Sequence, residues 1–144
     1  AYPEAHPDSK NLSSEVDRFA QKMQAGADFA ITQYFYNNDS YFHFMELCEK
    51  HQIDKPVIPG IMPIHNFNSL KKFSRQCGAE IPRWIKKSMA AYEDDIESQR
   101  KFGIDIVSEL TRKLIDNGVP GLHFYTMNQS RLTLAIARNP KLID

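Results

Sequence analysis

The stretch FAITQYFY, residues 29–36, decides the fold. Its side chains are β-branched and aromatic, and none carries a charge. The apolar character is near-continuous rather than alternating, as in a strand covered on both faces. Two other stretches read the same way. PVIPGIMPI, residues 56–64, is apolar but broken by Pro59, Gly60 and Pro63, and GLHFYTMN, residues 121–128, is again rich in aromatics. AYPE, residues 1–4, reads as the tail of a further strand that begins upstream.

Around these strands the apolar period changes to that of helices. SSEVDRFAQKMQAGA, residues 13–27, offers Ser13 or Ser14 as a cap, an apolar face of Val16, Phe19, Ala20 and Met23, and Gly26 as a stop. SYFHFMELCEKHQI, residues 40–53, spaces Phe42, Met45 and Cys48 for one helix face. NSLKKFSRQCG, residues 68–78, stops on Gly78, and PRWIKKSMAAY, residues 82–92, starts with Pro82 in the first helical position. Residues 93–118 form the longest helical pattern, acidic at its start as the helix dipole favours, and a last helix begins at Ser130.

Strands therefore alternate with helices, which predicts an α/β fold with a parallel sheet. KMQAGADFAITQYF and LIDNGVPGLHFYTM echo each other, each running from a helix end through glycine into an aromatic strand. Two architectures fit: an open α/β sheet, or part of a (β/α)8 barrel. No G-x-G-x-x-G follows a strand, which counts against a dinucleotide-binding Rossmann unit.

Composition narrows the function classes. At 144 residues and 42% hydrophobic, the chain suits one domain with a real core. Lys plus Arg balance Asp plus Glu at 18 each, so a nucleic-acid partner is not expected. No apolar run approaches the roughly 20 residues of a membrane span. Cys48 and Cys77 form no C-x-x-C and read as free thiols of a reducing cytosol, with a disulfide as the alternative.

In parallel α/β folds, ligands meet the C-terminal ends of the strands. That rule selects Thr32, Gln33, Tyr34 and Tyr36, then Met62, Pro63, Ile64 and His65, then Tyr125, Thr126 and Asn128. With Tyr2, Glu4, His6 and Asp8 they would make a rim of aromatics and neutral hydrogen-bonding groups, suited to a flat heterocycle. The rim has no metal-ligand spacing, nucleophile elbow or P-loop, so no metal is expected. Gln33 offers a donor and an acceptor together, which suits the amide-like edge of a pterin or flavin; a buried glutamine satisfying backbone groups fits equally. His6 and Asp8 are stronger candidates than most, because Pro3 and Pro7 stiffen the segment around them. His43, His51 and His123 read as structural or surface groups, Phe73 as a core residue of its helix, and Lys71, Lys72, Lys86 and Lys87 as solvated faces.

Taken together, AYPEAHPDS, GADFAITQYFY, PVIPGIMPI, FSRQCGAEIPRW and PGLHFYTMN resemble methylenetetrahydrofolate reductase of the bacterial type, in order along the whole chain. The resemblance implies a (β/α)8 barrel with FAD at the C-terminal face of its strands. It also implies reduction of methylenetetrahydrofolate to methyltetrahydrofolate, with NADH or NADPH as hydride donor. Members of the family are twice this length, so residues 1–144 are expected to form the C-terminal half of a single barrel domain.

The resemblance assigns Tyr2, His6, Pro7, Asp8 and Ser9 to the flavin-contacting segment, although the family often has Glu-Ala in place of Asp8 and Ser9. Lys22 matches a basic residue facing the flavin phosphates, with Glu15 and Arg18 at neighbouring contact positions. Gln33 matches a pterin-contacting glutamine, Phe73 an aromatic that stacks in the pocket shared by folate and nicotinamide, and Tyr125 the strand bordering that pocket. Where the family carries a substrate-contacting arginine after TMN, this chain has Gln129, with Arg131 two residues on. The proton-donating glutamate and a flavin-tuning aspartate belong upstream, Glu4 matches neither, and no catalytic residue is expected here. The implied partners are the folate, the complementary half of the barrel and further copies of the chain, since a half-barrel would leave strand edges open. Two rival readings are a non-catalytic half-barrel and another flavin- or phosphate-binding barrel enzyme.

Overall fold

The computed structural model describes residues 1–92 and 94–139. Three parallel strands, β1 (Ala30–Tyr34), β2 (Val57–Ile61) and β3 (His123–Phe124), lie side by side in that order. The helices are α1 (Leu12–Gln24), α2 (Asn38–Lys50), α3 (Phe67–Cys77), α4 (Arg83–Ala91), α5 (Ile96–Asp116) and α6 (Ser130–Arg138). The expected alternation and the parallel sheet are both present. Ala1 adds a single bridge at the free side of β1: its nitrogen donates to the Ile31 carbonyl at 3.0 Å, and its own carbonyl accepts from Gln33 N–H at 2.7 Å. That pair of bonds is the parallel ladder pattern, so the first residue of AYPE does lie against the sheet.

The strands are shorter than their apolar runs. Phe29 is 54% exposed and stands before β1, so that end of the run is not covered on both faces. Met62–Ile64 are buried without joining the ladder; the Met62 carbonyl accepts instead from the Tyr36 hydroxyl at 3.1 Å. The cap of α1 is Asn11, not Ser13 or Ser14: its side chain accepts from Ser14 N–H at 2.9 Å, and the Ser14 hydroxyl faces back to the Asn11 N–H. Pro82 is the N-cap of α4 rather than its first helical residue. Asp95 caps α5, and Glu93, where the longest helical pattern was expected to begin, lies outside the described residues.

The core runs between sheet and helices, with Val16, Phe35, Phe44, Ile61, Ile85, Leu114 and Ile136 removed from solvent. Burying a side chain of this size contributes about 1.5–3 kcal/mol each. Cys48 and Cys77 are both free, and burial pushes the Cys48 thiol up to about 11. No helix among the described residues is long and apolar enough to cross a membrane.

Candidate functional site

The site grows out of an irregularity in the sheet. Ile31 pairs with Ile58 but Tyr34 pairs with Gly60, so β1 uses one residue more than β2 over this span. Such a bulge breaks the ladder and re-aims side chains. Here Thr32 takes up the broken bond: its hydroxyl oxygen accepts from Gly60 N–H at 2.9 Å, and its carbonyl accepts from the Tyr125 hydroxyl at 2.8 Å. A Cβ on Gly60 would stand 2.3 Å from the Thr32 oxygen and 2.6 Å from the Tyr125 ring, so only glycine lets the three strands close here.

The bulge delivers Tyr34 to the centre. Its ring lies nearly parallel to Phe73 (centroids 6.0 Å apart, 13° between planes) and meets Tyr125 and Tyr36 edge-on. The Tyr34 hydroxyl is 2.8 Å from the Ser74 hydroxyl and accepts from the Cys77 thiol at 3.4 Å. Burial, foremost, raises its pKa far above the ordinary phenol value. Thr32, Tyr34, Tyr36, Met62, Pro63 and Ile64 are all buried, so these members of the expected rim form its floor. Tyr125 stays half-buried; its phenol is raised by burial first and then by the neighbouring Tyr2 phenol.

Phe73 departs from the reading of it as a core residue. It is 39% exposed and walls a pocket of about 400 Å³ with Met62, His65, Leu70, Met127 and Gln129. Gln33 is not in that pocket. Its amide oxygen accepts from Tyr34 N–H at 3.0 Å, and it lines a small recess with Tyr2, Glu4 and Cys77. The backbone-satisfying reading of Gln33 thus holds for its oxygen, while its amide NH₂ makes no protein hydrogen bond among the described residues. Phe73 and Tyr125 meet the Tyr34 ring, while Gln33 bonds the Tyr34 backbone N–H.

The 1–9 segment forms a second cluster. Pro7 packs on Gly78, the left-handed cap of α3 (φ 75°), where a Cβ would lie 2.6 Å from the proline ring. Tyr2 meets His6 edge-on at 4.7 Å, and His6 Nδ1 accepts from Asp8 N–H at 3.1 Å. The Ser9 hydroxyl donates to buried Glu15 at 2.6 Å and accepts from Arg18 at 3.4 Å. Glu15, Arg18 and Lys22 share one stripe of α1, with Arg18 and Lys22 exposed beside the loop. Neither cation has an ion pair among the described residues, so this donor set suits a ligand that carries phosphates. Among the described residues, no three His, Cys, Asp or Glu side chains come together as metal ligands.

Glu4 ties the segment down, accepting from Glu80 N–H at 2.7 Å and from Ser40 at 3.4 Å. Burial raises its carboxyl above the ordinary glutamate value, outweighing the Glu80 hydrogen bond that lowers it. A raised carboxyl gives stability that is complete below its unfolded pKa and is lost as pH climbs through the folded one. Glu4→Gln keeps an acceptor for Glu80 N–H and removes the charge. Thermal unfolding of the wild type should therefore fall relative to Glu4→Gln as pH rises across that interval. Parallel curves for the two proteins would refute it.

A cleft escaped the sequence reading. Beside the Phe73 pocket, and sharing His65 and Gln129 with it, lies a cleft of about 700 Å³ lined by Arg100, Lys101 and Arg131. Thr32 and Tyr34 have no signal in the sequence beyond their place at a strand end, because their roles depend on the register of two strands.

Fold and site together define a parallel α/β protein whose ring-lined pocket sits at the C-terminal edge of its sheet. The family model described as methylenetetrahydrofolate reductase matches residues 1–141. The chain belongs to the methylenetetrahydrofolate reductase family. It is 43% identical over 136 residues to the 5,10-methylenetetrahydrofolate reductase of Buchnera aphidicola from Acyrthosiphon pisum, covering 94% of this chain and 47% of that protein. Against the Escherichia coli K12 enzyme of the same name the identity is 37%, over 94% of this chain and 46% of the relative. The chain thus spans about half the length of the curated relatives it matches. Its fold is shared by an uncharacterized protein from Clostridium thermocellum that binds two copies of 5-methyl-5,6,7,8-tetrahydrofolic acid, with a TM-score of 0.58, 21% identity, and coverage of 90% of this chain and 48% of that one.

Proposed function

We propose that the intact protein reduces methylenetetrahydrofolate to methyltetrahydrofolate in the cytoplasm, and that residues 1–144 supply the C-terminal half of its (β/α)8 barrel. The observation that carries this reading is the cluster of Phe73 and Tyr125 on the Tyr34 ring, with Gln33 bonded to the Tyr34 N–H, at the sheet edge where such folds hold ligands. Family membership and the half-length match to the named reductases support it. FAD, when bound, would pass hydride from NADH or NADPH to the folate. Tyr2, His6, Pro7, Asp8, Ser9, Glu15, Arg18 and Lys22 would hold it, with Arg18 and Lys22 toward its phosphates. Phe73 would stack on a flat ring, Tyr125 would border it, and the free NH₂ of Gln33 would donate to the pterin edge. No residue of this chain is assigned the proton-donating step. The 144 residues alone are therefore expected to be inactive, and to associate with a complementary half or with one another through open strand edges.

The test is Gln33→Ala in the intact protein, with nicotinamide oxidation and folate reduction followed separately by stopped flow. Folate reduction should slow about tenfold to a hundredfold, the cost of one hydrogen bond in a buried polar site, and nicotinamide oxidation much less. Equal losses in both would overturn the assignment of Gln33 to the folate.

A further inference from the structure

We propose that His51 and Asp17 are positioning residues for the cofactor. Their bond clasps α1 to α2, holds the stripe of Glu15, Arg18 and Lys22 in place, and makes FAD binding tighter when His51 carries its second proton. This rests on the cofactor reading above and extends it to two residues that reading does not use.

The backbone fixes His51 first. It is the C-cap of α2, and Gln52 follows in the left-handed region at φ 57°. Gln52 N–H donates to the Glu49 carbonyl at 2.9 Å, and Ile53 N–H donates to the Cys48 carbonyl at 3.0 Å. That pair of bonds is the Schellman ending of a helix, which usually has glycine where this chain has Gln52. The turn thus keeps a conformation that disfavours its own residue, and it aims the preceding side chain at α1.

The His51 ring then meets two acceptors. Nδ1 lies 2.8 Å from the Leu47 carbonyl, and Nε2 lies 3.0 Å from a carboxylate oxygen of Asp17. A carbonyl and a carboxylate only accept, and a neutral imidazole has a single N–H. Both bonds are therefore made together only by the imidazolium. Its charge faces the Asp17 carboxylate from α1 and sits at the negative end of the α2 dipole, and both favour it. The other charges nearby in the chain are Glu49 and Lys50, exposed on α2. Lys55, in the connection to β2, donates instead to the Ala27 carbonyl at 2.6 Å. Among the described residues, Asp17 is the one ion-pair partner of His51.

The helix so clasped is the one that faces the proposed cofactor phosphates. Asp17 is next in sequence to Arg18, and the Ser9 hydroxyl joins Glu15 and Arg18 to the 1–9 segment. Phe19 of α1 packs on Phe44 of α2 with ring centroids 5.5 Å apart. Apolar contact of that kind is non-directional, so it holds the helices together without fixing how α1 is turned. The His51 bond sets that turn from the α2 side, and the Ser9 bonds set it from the other.

The experiment measures FAD affinity of the intact protein by flavin fluorescence at about pH 6 and about pH 8.5, on either side of the ordinary histidine range. The proteins compared are wild type, His51→Gln, Asp17→Asn and the double variant. Both side chains are partly exposed, so the variants are expected to fold. The wild type should gain about threefold in affinity at the lower pH relative to His51→Gln, a comparison that cancels the titrations the two proteins share. Asp17→Asn should lose the same gain, and the double variant should lose no more, as for two partners of one bond. Coupling is reciprocal, so in an NMR titration FAD should move the midpoint of the His51 ring resonance to higher pH, which a merely structural role would not do. A gain that survives in His51→Gln, additive losses in the double variant, or a midpoint indifferent to FAD would overturn the proposal and leave the cofactor reading intact. Variants that melt lower but keep the wild-type response to pH would make the clasp purely structural and also overturn it. A wild type that binds no FAD at either pH would overturn the cofactor reading and this one with it.

Discussion

Gly60→Ala is expected to cost about 3 kcal/mol, at the upper end for overpacking a tight interior. The added methyl would lie 2.3 Å from the Thr32 oxygen and 2.6 Å from the Tyr125 ring. Relief by rotating a flexible side chain is not available, because one neighbour is backbone and the other is a ring whose hydroxyl is bonded to that same backbone oxygen. Pushing Tyr125 aside would also break its 2.8 Å bond to Thr32, worth about 1 kcal/mol. Domains of this kind have a net stability of about 5–15 kcal/mol, so the loss would be a large share of the total. Gly121→Ala is the control, since nothing lies within 4 Å of a Cβ there. Urea unfolding of the two variants beside the wild type gives the measurement. A Gly60→Ala protein within about 0.5 kcal/mol of wild type would mean that the bulge is not held by this contact.

This contact also shows where the sequence stops being legible. FAITQYFY and PVIPGIMPI announce two buried strands through composition alone, and the helix period between them fixes the parallel connection. The echo between KMQAGADFAITQYF and LIDNGVPGLHFYTM is real: each glycine follows a helix and leads into a strand of the same sheet. The bulge, by contrast, is a relation between two strands, and nothing within residues 30–34 marks it. Capping failed for a local reason. Asn11 and Ser14 form one reciprocal pair, and the sequence shows two serines nearer the apolar face that cap equally well in isolation.

The site was legible where a residue type is itself unusual. The prolines around His6 do mark a held segment, and Pro7 is fixed on Gly78. Phe73 looks like a core residue because helices are usually packed by their phenylalanines. The family resemblance implied a pocket role for it, and the fold shows that α3 turns this ring toward a cavity at the sheet edge. Arg100 and Arg131 are far apart in sequence and look like ordinary helix surface. Their meeting across one cleft depends on how α5 and α6 pack.

Tyr34 is where fold and proposed function can be separated by a pair of substitutions. Tyr34→Ala would remove a buried ring that supports Phe73, Tyr125 and Tyr36 at once, a loss of about 3–5 kcal/mol for a large aromatic cut to alanine. Tyr34→Phe keeps the ring and removes only the hydroxyl that bridges Ser74 and Cys77, which costs about 1–3 kcal/mol because the Ser74 hydroxyl is left buried without that partner. If the ring is what orders the pocket, the two variants differ in ligand binding even more than in stability. Methyltetrahydrofolate affinity should then fall more than about tenfold in Tyr34→Ala, since the stacking wall at Phe73 loses its backing, and stay within about threefold in Tyr34→Phe. Calorimetric titration of the intact protein well below each variant's melting temperature separates binding from unfolding. Equal losses in the two variants would show that the hydroxyl bridge to α3, and not the ring, holds Phe73 in place.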